Sequence, residues 1–475
     1  MATQRAALGG VVRRWVPDSI IRRLLKNLTY LFSGNLAASV LSLAALALTA
    51  RALGPAQFGI LVLIEAYIRL IDRLVRIEPW QALIKYGAEA LEQGRTDDFR
   101  RLLQLGTAID LAGSLGGALV AVSGAYLAGS ALGWGPDANA MAAVYSLVLI
   151  SHIASTPTAA LRLFNRFQVF AWQQVLTGGL RLLFVVGAFL ADAGLWSFVL
   201  LAMASEVIGN VYLFVVAWRD LRRRGHGNFL SSPLTGVTRR CPGIWGFIWS
   251  MNLANLIRKS TRELDTLVVG AYLDPAAAGL YQIGKRLGDS VLKLGVPVQQ
   301  AVFPDIARLW ARRETVRFKR TVMRINLALG VLSAATFLAI ALAPHFWIRL
   351  TVGEEFLDAS SLLIVQMLAA AIFMAGIGLR PALQSMDLQR QILQATIVGT
   401  ALFYPVLFLS LPWLGALGAS CAHLAFSVVY VALLFGTFFC ATRGSQGPLL
   451  PSWARHLAWR PRLGRRARRV ALTLP

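Results

Sequence analysis

The sequence predicts an all-α, polytopic membrane protein whose twelve transmembrane helices form two parallel-repeat, six-helix lobes around a central cavity. Three observations support this prediction: the composition, the spacing of the apolar runs and an internal repeat. The chain has 475 residues, of which 56% are hydrophobic and 15% are charged, whereas a soluble domain is about 25% charged. This deficit of charge indicates a chain that lies mostly within a lipid bilayer.

The apolar residues occur in runs of about 20, the length that a helix needs to cross a hydrocarbon core of about 30 Å. A spanning segment must satisfy its own backbone hydrogen bonds, and the runs lack the alternation of a membrane barrel, so helices are predicted. The twelve runs are 28–50, 57–77, 102–130, 139–160, 172–191, 195–218, 244–272, 276–296, 322–345, 359–379, 391–411 and 414–440.

The formal charge of +24 would suit a nucleic-acid partner, but the placement of the basic residues argues against one. Most Lys and Arg residues lie in the termini and in alternate loops, whereas the intervening loops hold only Arg51 and Arg349. This is the positive-inside asymmetry of multi-pass membrane proteins. It predicts an even number of helices with both termini in the cytosol, and anionic membrane lipids as partners of the arginine-rich tail.

Two stretches, RALGPAQFGI at 51–60 and AYLDPAAAGL at 271–280, share one skeleton in which a Pro is followed four residues later by a Gly. Further matches at a nearly constant offset predict a duplicated unit, whose parallel halves are related by an axis along the membrane normal. The predicted organisation is a basic cytosolic segment (1–27), an N-lobe with helices 1–6 (28–218), a basic cytosolic linker (219–243), a C-lobe with helices 7–12 (244–440) and a basic cytosolic tail (441–475).

The repeated stretch is predicted to be a turn rather than a binding motif. Gly54 permits a sharp reversal of the chain, and Pro55 suits the first turn of the next helix because it has no backbone donor to lose. Gly59 is expected to allow close packing against a neighbouring helix.

Ionisable residues inside the apolar runs are the candidate functional residues, because charges at such depth are costly and normally face a polar cavity or a partner. In helices 2, 7 and 8 they recur at helical spacing and form stripes. One interpretation is that the stripes pair with one another and steady the bundle, as Glu65 and Arg69 can. The other is that the cations bind an anionic headgroup, since Arg forks onto phosphate. The substrate-binding candidates are Arg69, Arg258, Lys259, Arg262, Lys285 and Arg286, and the ion-coupling or gating candidates are Glu65, Asp265 and Asp289.

Sequence motifs for enzymatic chemistry are missing from the chain. It contains no GxxxxGK[ST] phosphate loop, HExxH or GxSxG, so a transporter is favoured over an enzyme, and no cofactor or metal is expected. Three widely separated cysteines indicate neither a disulfide framework nor a metal cluster. Residues 308–320, RLWARRETVRFKR, are predicted to form a basic interfacial helix, and a gate that attracts an anionic lipid is the alternative.

The pattern FSGN (32–35) followed by RALGPAQFGILVLIEAY (51–67) resembles the polysaccharide-unit flippases of the multidrug/oligosaccharidyl-lipid/polysaccharide exporter superfamily. The stretch RELDTLVVGAYLDPAAAGLYQIGKRL (262–287) shares this resemblance, which extends from about residue 26 to 440. It implies that undecaprenyl-pyrophosphate-linked oligosaccharides cross the inner membrane for an O-antigen, capsule or exopolysaccharide. It also implies that helices 1, 2, 7 and 8 line the cavity. The polymerase and glycosyltransferases of the same pathway are candidate partners.

Two other functions remain open at this point. The first is an ion-coupled multidrug or cation antiporter of the same superfamily, whose cavity should favour acids over bases. The second is a membrane polymerase or ligase of the same pathway, which would be expected to carry a large periplasmic loop. The longest predicted outer loop, 346–358, is too short to form such a domain.

Overall fold

The computed structural model describes residues 18–129, 134–234 and 236–443. Within these ranges the side chains at 18–33, 35, 128, 254–262, 294, 296–298, 300–301, 304 and 443 are left undescribed. The described residues are almost entirely helical, which confirms the all-α prediction. They divide into a first half (18–234) and a second half (236–443), each of which holds one copy of the turn motif.

The first half contains seven α-helices and two short 3-10 segments, Leu147–Ser151 and Gly227–Ser231. The helices are α1 (Asp18–Val75), α2 (Trp80–Glu92), α3 (Thr96–Ala128), α4 (Pro136–Ser146), α5 (Ser155–Leu163), α6 (Phe167–Leu190) and α7 (Leu195–Arg223).

The second half contains nine further α-helices and a 3-10 segment, Glu354–Phe356. The helices are α8 (Val237–Arg240), α9 (Ile244–Tyr272), α10 (Pro275–Ala311), α11 (Thr315–Ala341), α12 (Pro344–Thr351), α13 (Ala359–Ala375), α14 (Leu379–Ser385), α15 (Gln389–Leu414) and α16 (Ala416–Arg443).

Nine helical stretches of the described residues are long and apolar enough to cross a membrane. The longest, Leu36–Val75, covers two of the predicted runs because α1 continues through the bend between them. The long helices α9 and α10 are not among the nine, although each is long enough to span a bilayer. In α9 the undescribed side chains at 254–262 interrupt the stretch that could be judged, and the described part of α10 carries Lys285, Arg286, Asp289 and Lys293. The count of twelve spans therefore stays a prediction.

Large apolar side chains cover the outside of the bundle, as expected for a surface that faces lipid rather than water. Leu119 is 69% exposed, Leu190 79% and Leu342 84%. The core instead lies between the helices, where Phe58, Leu63 and Tyr281 are at most 2% exposed. This distribution agrees with a multi-pass membrane protein.

The predicted turn lies at Gly54, where the backbone adopts φ 65° and ψ 173° and bends α1. A left-handed φ favours glycine because glycine has no Cβ. In the second copy the reversal falls between α9 and α10, and the Asp274 side chain caps α10 by accepting from the Ala277 amide at 2.7 Å. Pro55 and Pro275 each open the following helical segment. The end of the bundle that holds both bends is called the turn end below.

The two copies of the turn motif pack against each other across the halves. The Pro275 carbonyl lies so close to Gly59 that a Cβ built on Gly59 would overlap it. Reciprocally, a Cβ on Gly279 would lie 2.9 Å from the Pro55 carbonyl. The neighbour expected for Gly59 is therefore the other copy of its own motif. This reciprocal contact is the one that two units related by a twofold axis would make.

Described residues of the segment predicted as a linker, 219–243, contact the first half. Arg100 Nη2 donates to the Gly225 carbonyl at 2.6 Å, and Gln104 Nε2 donates to the Leu230 carbonyl at 3.1 Å. Arg240 forms an ion pair with Asp98, and Phe229 is 1% exposed. These contacts fix the point from which the second half begins.

The prediction of one basic helix at 308–320 is wrong. Helix α10 continues to Ala311, and α11 begins at Thr315. Arg313 lies between them with φ 57°, a left-handed conformation that ends a helix. The run of basic residues reads as one helix in sequence because no Pro or Gly marks this turn.

Candidate functional site

Glu65 is the centre of a charged cluster in the first half. It lies on the segment of α1 that follows the bend and is 7% exposed. Arg69, one turn later, donates from Nη1 to Glu65 Oε2 at 3.1 Å, and Arg181 of α6 forms an ion pair with the other oxygen. The pairing of Glu65 with Arg69 that helical spacing allows is therefore present, and a second cation from another helix joins it.

Glu263 of α9 connects the two halves. Its Oε2 accepts from Arg69 Nε at 2.9 Å, and its Oε1 lies 3.0 Å from Arg73 Nη2. Both arginines belong to α1, and their side chains are 30% and 26% exposed. One carboxylate thus bridges two guanidinium groups that are one helical turn apart, and it is the second half that supplies it.

Asp265 is the centre of a cluster in the second half and is fully buried. Lys285 Nζ of α10 lies 2.7 and 2.9 Å from its two oxygens, and the Tyr281 hydroxyl donates to Oδ2 at 2.8 Å. Nε2 of His423 on α16 lies 2.7 Å from the same Oδ2. This buried carboxylate has partners on two other helices, so it ties three helices together.

A cavity of about 610 Å³ lies among α10, α13, α14, α15 and α16, and Arg73 of α1 completes its lining. Its ionisable lining residues are Arg73, Lys285, Asp289, Lys293, Arg380 and His423. Aromatic rings form much of the remaining wall, and Tyr430 stacks between Phe373 and Phe426 with centroids 5.4 and 5.6 Å away. The cavity therefore offers both charge and apolar ring surface, as a site for an amphipathic ligand does.

A smaller cavity of about 50 Å³ lies between α1, α6 and α10. It is lined by Glu65, Arg181, Arg286 and Lys293 among others. Because Lys293 lines both cavities, the cluster around Glu65 and the larger cavity belong to one charged region at the junction of the halves.

Cations outnumber carboxylates in this region, among the described residues that line either cavity or pair with their lining. The cations are Arg69, Arg73, Arg181, Lys285, Arg286, Lys293 and Arg380, and the carboxylates are Glu65, Glu263, Asp265 and Asp289. Charges inside a membrane protein are costly unless they are paired or meet a ligand. A surplus of positive charge at this depth therefore favours an anionic ligand.

A separate polar network lies within the first half. His152 Nδ1 lies 3.0 Å from Asp72, and its Nε2 lies 3.4 Å from Glu206. Tyr145 donates to Glu206 at 3.1 Å, and Arg76 pairs with Asp72 at 3.0 Å. The network joins α1, α4 and α7 through His152, which directly follows the 3-10 segment, so it stabilises the first half.

The structure brings six of the nine predicted site residues into the junction region. Lys285 and Asp289 line the larger cavity, and Glu65 and Arg286 line the smaller one. Arg69 and Asp265 pair with these linings through Glu65 and Lys285. The side chains of the remaining three, Arg258, Lys259 and Arg262, lie outside the described residues.

Sequence reasoning missed several residues of the region. Arg73 and Lys293 lie within the predicted runs 57–77 and 276–296 but are not among the candidates, and Arg380, just past the run 359–379, lies on α14 in the structure. Glu263 and His423 gave no signal of their partners, because those partners are far away in the chain. Arg73 is four residues after Arg69 and Lys293 is four residues after Asp289, so helical spacing from these two candidates would have found both.

The model of a family described as polysaccharide biosynthesis protein matches residues 48–361. The chain belongs to this family. One relative, the inner membrane protein YghQ of Escherichia coli (strain K12), is 30% identical over 355 residues, which cover 74% of this chain and 99% of that protein. The chain is accordingly a multi-pass inner-membrane protein, in agreement with its apolar helices.

Solved structures show the fold that this polysaccharide biosynthesis protein adopts. The lipid II flippase MurJ in an inward closed conformation gives a TM-score of 0.68 at 13% identity, with 86% of this chain and 87% of that chain covered. An inward-facing multidrug resistance transporter of the MATE family gives 0.61 at 13% identity, with 88% and 96% covered. The fold is therefore similar to that of these two solved structures.

Proposed function

We propose that the protein is a flippase that moves undecaprenyl-pyrophosphate-linked oligosaccharide units across the inner membrane for a surface polysaccharide. The observation that carries this proposal is the surplus of Arg and Lys at the junction of the halves. Diphosphate is the most strongly anionic part of such a substrate. Membership of the polysaccharide biosynthesis family supports the choice of a glycan substrate.

Arginine suits this task because its planar guanidinium binds phosphate oxygens through two parallel hydrogen bonds. Interactions of this kind strengthen where water is scarce. Glu65 holds Arg69 and Arg181 in place by accepting from both, so their donors are oriented before a ligand arrives. The aromatic wall of the larger cavity would then accommodate the less polar parts of the substrate.

Alternating access of the two halves would complete the cycle, with both termini in the cytosol as the charge asymmetry predicts. In that orientation the turn end faces the periplasm, and the substrate enters from the cytosolic leaflet. The glycosyltransferases of the pathway would supply the substrate on the cytosolic side. The polymerase would act on the lipid-linked unit after it has crossed the membrane.

Deletion of the gene is expected to abolish a surface polysaccharide and to leave its lipid-linked repeat units inside the cell. The two quantities are measured by gel analysis of the surface polymer and by mass spectrometry of extracted lipid intermediates. A plasmid copy of the gene should restore both. If polymer and intermediates are unchanged in the deletion strain, the proposed function is wrong.

The triple substitution of Arg258, Lys259 and Arg262 by alanine is expected to reduce export without loss of folded protein, because the helical spacing of Arg258 and Arg262 predicts that they share a stripe with Asp265. The matched control is the triple alanine variant of Arg219, Arg222 and Arg223, three cations near the end of α7 that do not line the cavity. Export is measured in the complemented deletion strain. Wild-type export in the α9 variant would exclude a substrate role for that cluster.

An antiporter for cationic drugs is the competing function. It predicts that the deletion strain becomes more sensitive to cationic dyes and antibiotics while the polysaccharide stays intact. The surplus of cations in the described cavity lining argues against this outcome, because a cationic ligand would be repelled.

A further inference from the structure

Glu263 occupies the position in which an anionic ligand would meet Arg69 and Arg73. Its two oxygens are shared between the two guanidinium groups at 2.9 and 3.0 Å. A carboxylate bridged in this way has the charge and the acceptor geometry of one phosphate group. The side chain comes from the opposite half of the protein, so it is a ligand that the second half presents to the first.

We propose that Glu263 is a resident counter-ion that a diphosphate displaces from Arg69 and Arg73. The proposal rests on the proposed function, which supplies the diphosphate. In the absence of substrate Glu263 neutralises the two arginines and joins α9 to α1. When the diphosphate binds, its oxygens take over the guanidinium donors, and the carboxylate leaves with α9.

The geometry makes this exchange feasible. Glu263 divides its two oxygens between the arginines, with Oε2 on Nε of Arg69 and Oε1 on Nη2 of Arg73. A guanidinium has five N–H donors, and a diphosphate brings more acceptor oxygens and more charge than one carboxylate. The incoming anion can therefore offer two oxygens to each arginine, which Glu263, stretched between two partners, does not.

The position of Arg73 and the second partner of Arg69 are both compatible with this exchange. Arg73 lines the larger cavity, so a ligand in that cavity reaches one of the two arginines directly. Arg69 stays in place when Glu263 leaves, because Glu65 continues to accept from its Nη1 at 3.1 Å. The arginines thus remain in the first half while the carboxylate of the second half is released.

Two properties follow from a resident counter-ion. First, only a ligand with enough negative charge to compete with a carboxylate can bind, so Glu263 determines specificity against neutral lipids and weakly charged ones. Second, binding removes an ion pair between the halves, so the arrival of the substrate itself weakens their contact at this depth. A ligand shifts a conformational equilibrium only through such a difference in interactions.

The test measures the binding of inorganic pyrophosphate to the purified full-length protein in lipid nanodiscs by calorimetry. Glu263→Gln should bind pyrophosphate about tenfold more tightly than the wild type, because a charge-assisted competitor is removed. Glu206→Gln is the matched control, since it removes a carboxylate of the first half that contacts His152 and Tyr145. Its affinity should equal that of the wild type.

A general electrostatic effect is separated from displacement by a second substitution. In the Glu263→Gln background, Arg73→Ala should remove the gain in affinity, whereas Arg380→Ala, which removes the same charge elsewhere in the cavity lining, should keep it; an effect of positive potential alone would be cancelled equally by both. If Glu263→Gln does not fold, Glu263→Asp serves instead, because it is one methylene shorter and cannot bridge both arginines. Either variant should show the tighter binding.

The proposal is overturned if these variants bind pyrophosphate no more tightly than the wild type, or if the gain survives Arg73→Ala. The proposed function is judged separately by the polysaccharide of the deletion strain. If deletion abolishes the polymer but Glu263→Gln leaves the pyrophosphate affinity unchanged, the proposed flippase function is retained. Only the displacement of Glu263 by the diphosphate is then rejected.

Discussion

Replacing Gly59 by alanine is expected to reduce polysaccharide export about tenfold or more while the protein still inserts into the membrane. A Cβ at this position would overlap the Pro275 carbonyl, which is backbone and has little room to give. Ordinary overpacking costs about 1–3 kcal/mol, and here the cost falls only on conformations in which the halves meet at the turn end. The halves should therefore stay apart there, and alternating access should stop.

Export and membrane protein level are measured together for this variant and for two others. Gly279→Ala should have a weaker effect, since its Cβ would lie 2.9 Å from the Pro55 carbonyl. Gly116→Ala is the control, because nothing lies within 4 Å of a Cβ at that helical position. Equal export in the Gly59 and Gly116 variants would show that the turn motifs need not meet during transport.

Asp265→Asn is expected to destabilise the folded protein by about 3 kcal/mol or more, the cost of leaving a buried charge without its partner. Lys285 would lose this carboxylate, and Tyr281 and His423 would lose the charged acceptor between them. The loss of stability is measured as a lower midpoint of thermal unfolding in detergent. The loss of monodisperse protein on heating gives this midpoint.

Removing the partner charge as well should recover much of that stability. The double variant Asp265→Asn with Lys285→Met replaces the lysine by a side chain of similar length without charge, and a double-mutant cycle then gives the coupling between the two. Asp192→Asn, an exposed position with φ 48° that asparagine tolerates, is the control. Additive effects in the cycle would argue that the pair contributes little.

Hydropathy and turn chemistry predict much of the fold. Helix α9 is found at Ile244–Tyr272, the predicted 244–272, and the bend at Gly54 follows from a glycine before a proline. These features could be predicted because local backbone preference and the match to lipid act over a few residues. The pairing of the two motifs needed the duplication as well, which relates positions that are far apart in the chain.

The charged stripe was predictable only in part, for a physical reason. A helix that faces a polar cavity carries ionised residues, so its hydropathy falls and its end is placed too early. The predicted run 276–296 ends well before α10 does at Ala311, and Arg380 falls just outside the predicted run 359–379 although α14 contains it. The rule that identifies loops by their charge is misleading at the residues that line a site.

Residue spacing in the sequence cannot predict which side chains form ion pairs between the two halves. Glu263 and Arg69 are 194 residues apart in the chain, and His423 and Asp265 are 158 apart. Helical spacing pairs Glu65 with Arg69, but it contains no information on which helix of the other half lies opposite. The packing of the turn motifs determines that register, so the ion pairs are consequences of the fold rather than independent signals.

The reciprocal contact of the turn motifs has the symmetry of a dimer interface. Each copy has a proline carbonyl and a glycine without a side chain on one surface. The carbonyl of each copy packs against the glycine of the other. An interface in which one patch meets itself is isologous, the type formed by two identical subunits about a twofold axis. A polypeptide with only one of these halves would carry both sides of the contact, and covalent fusion turns that self-recognition into a fixed arrangement. Asp274 and Ala278, which stand where the first copy has Gly54 and Phe58, mark places where the fused copies have since become different.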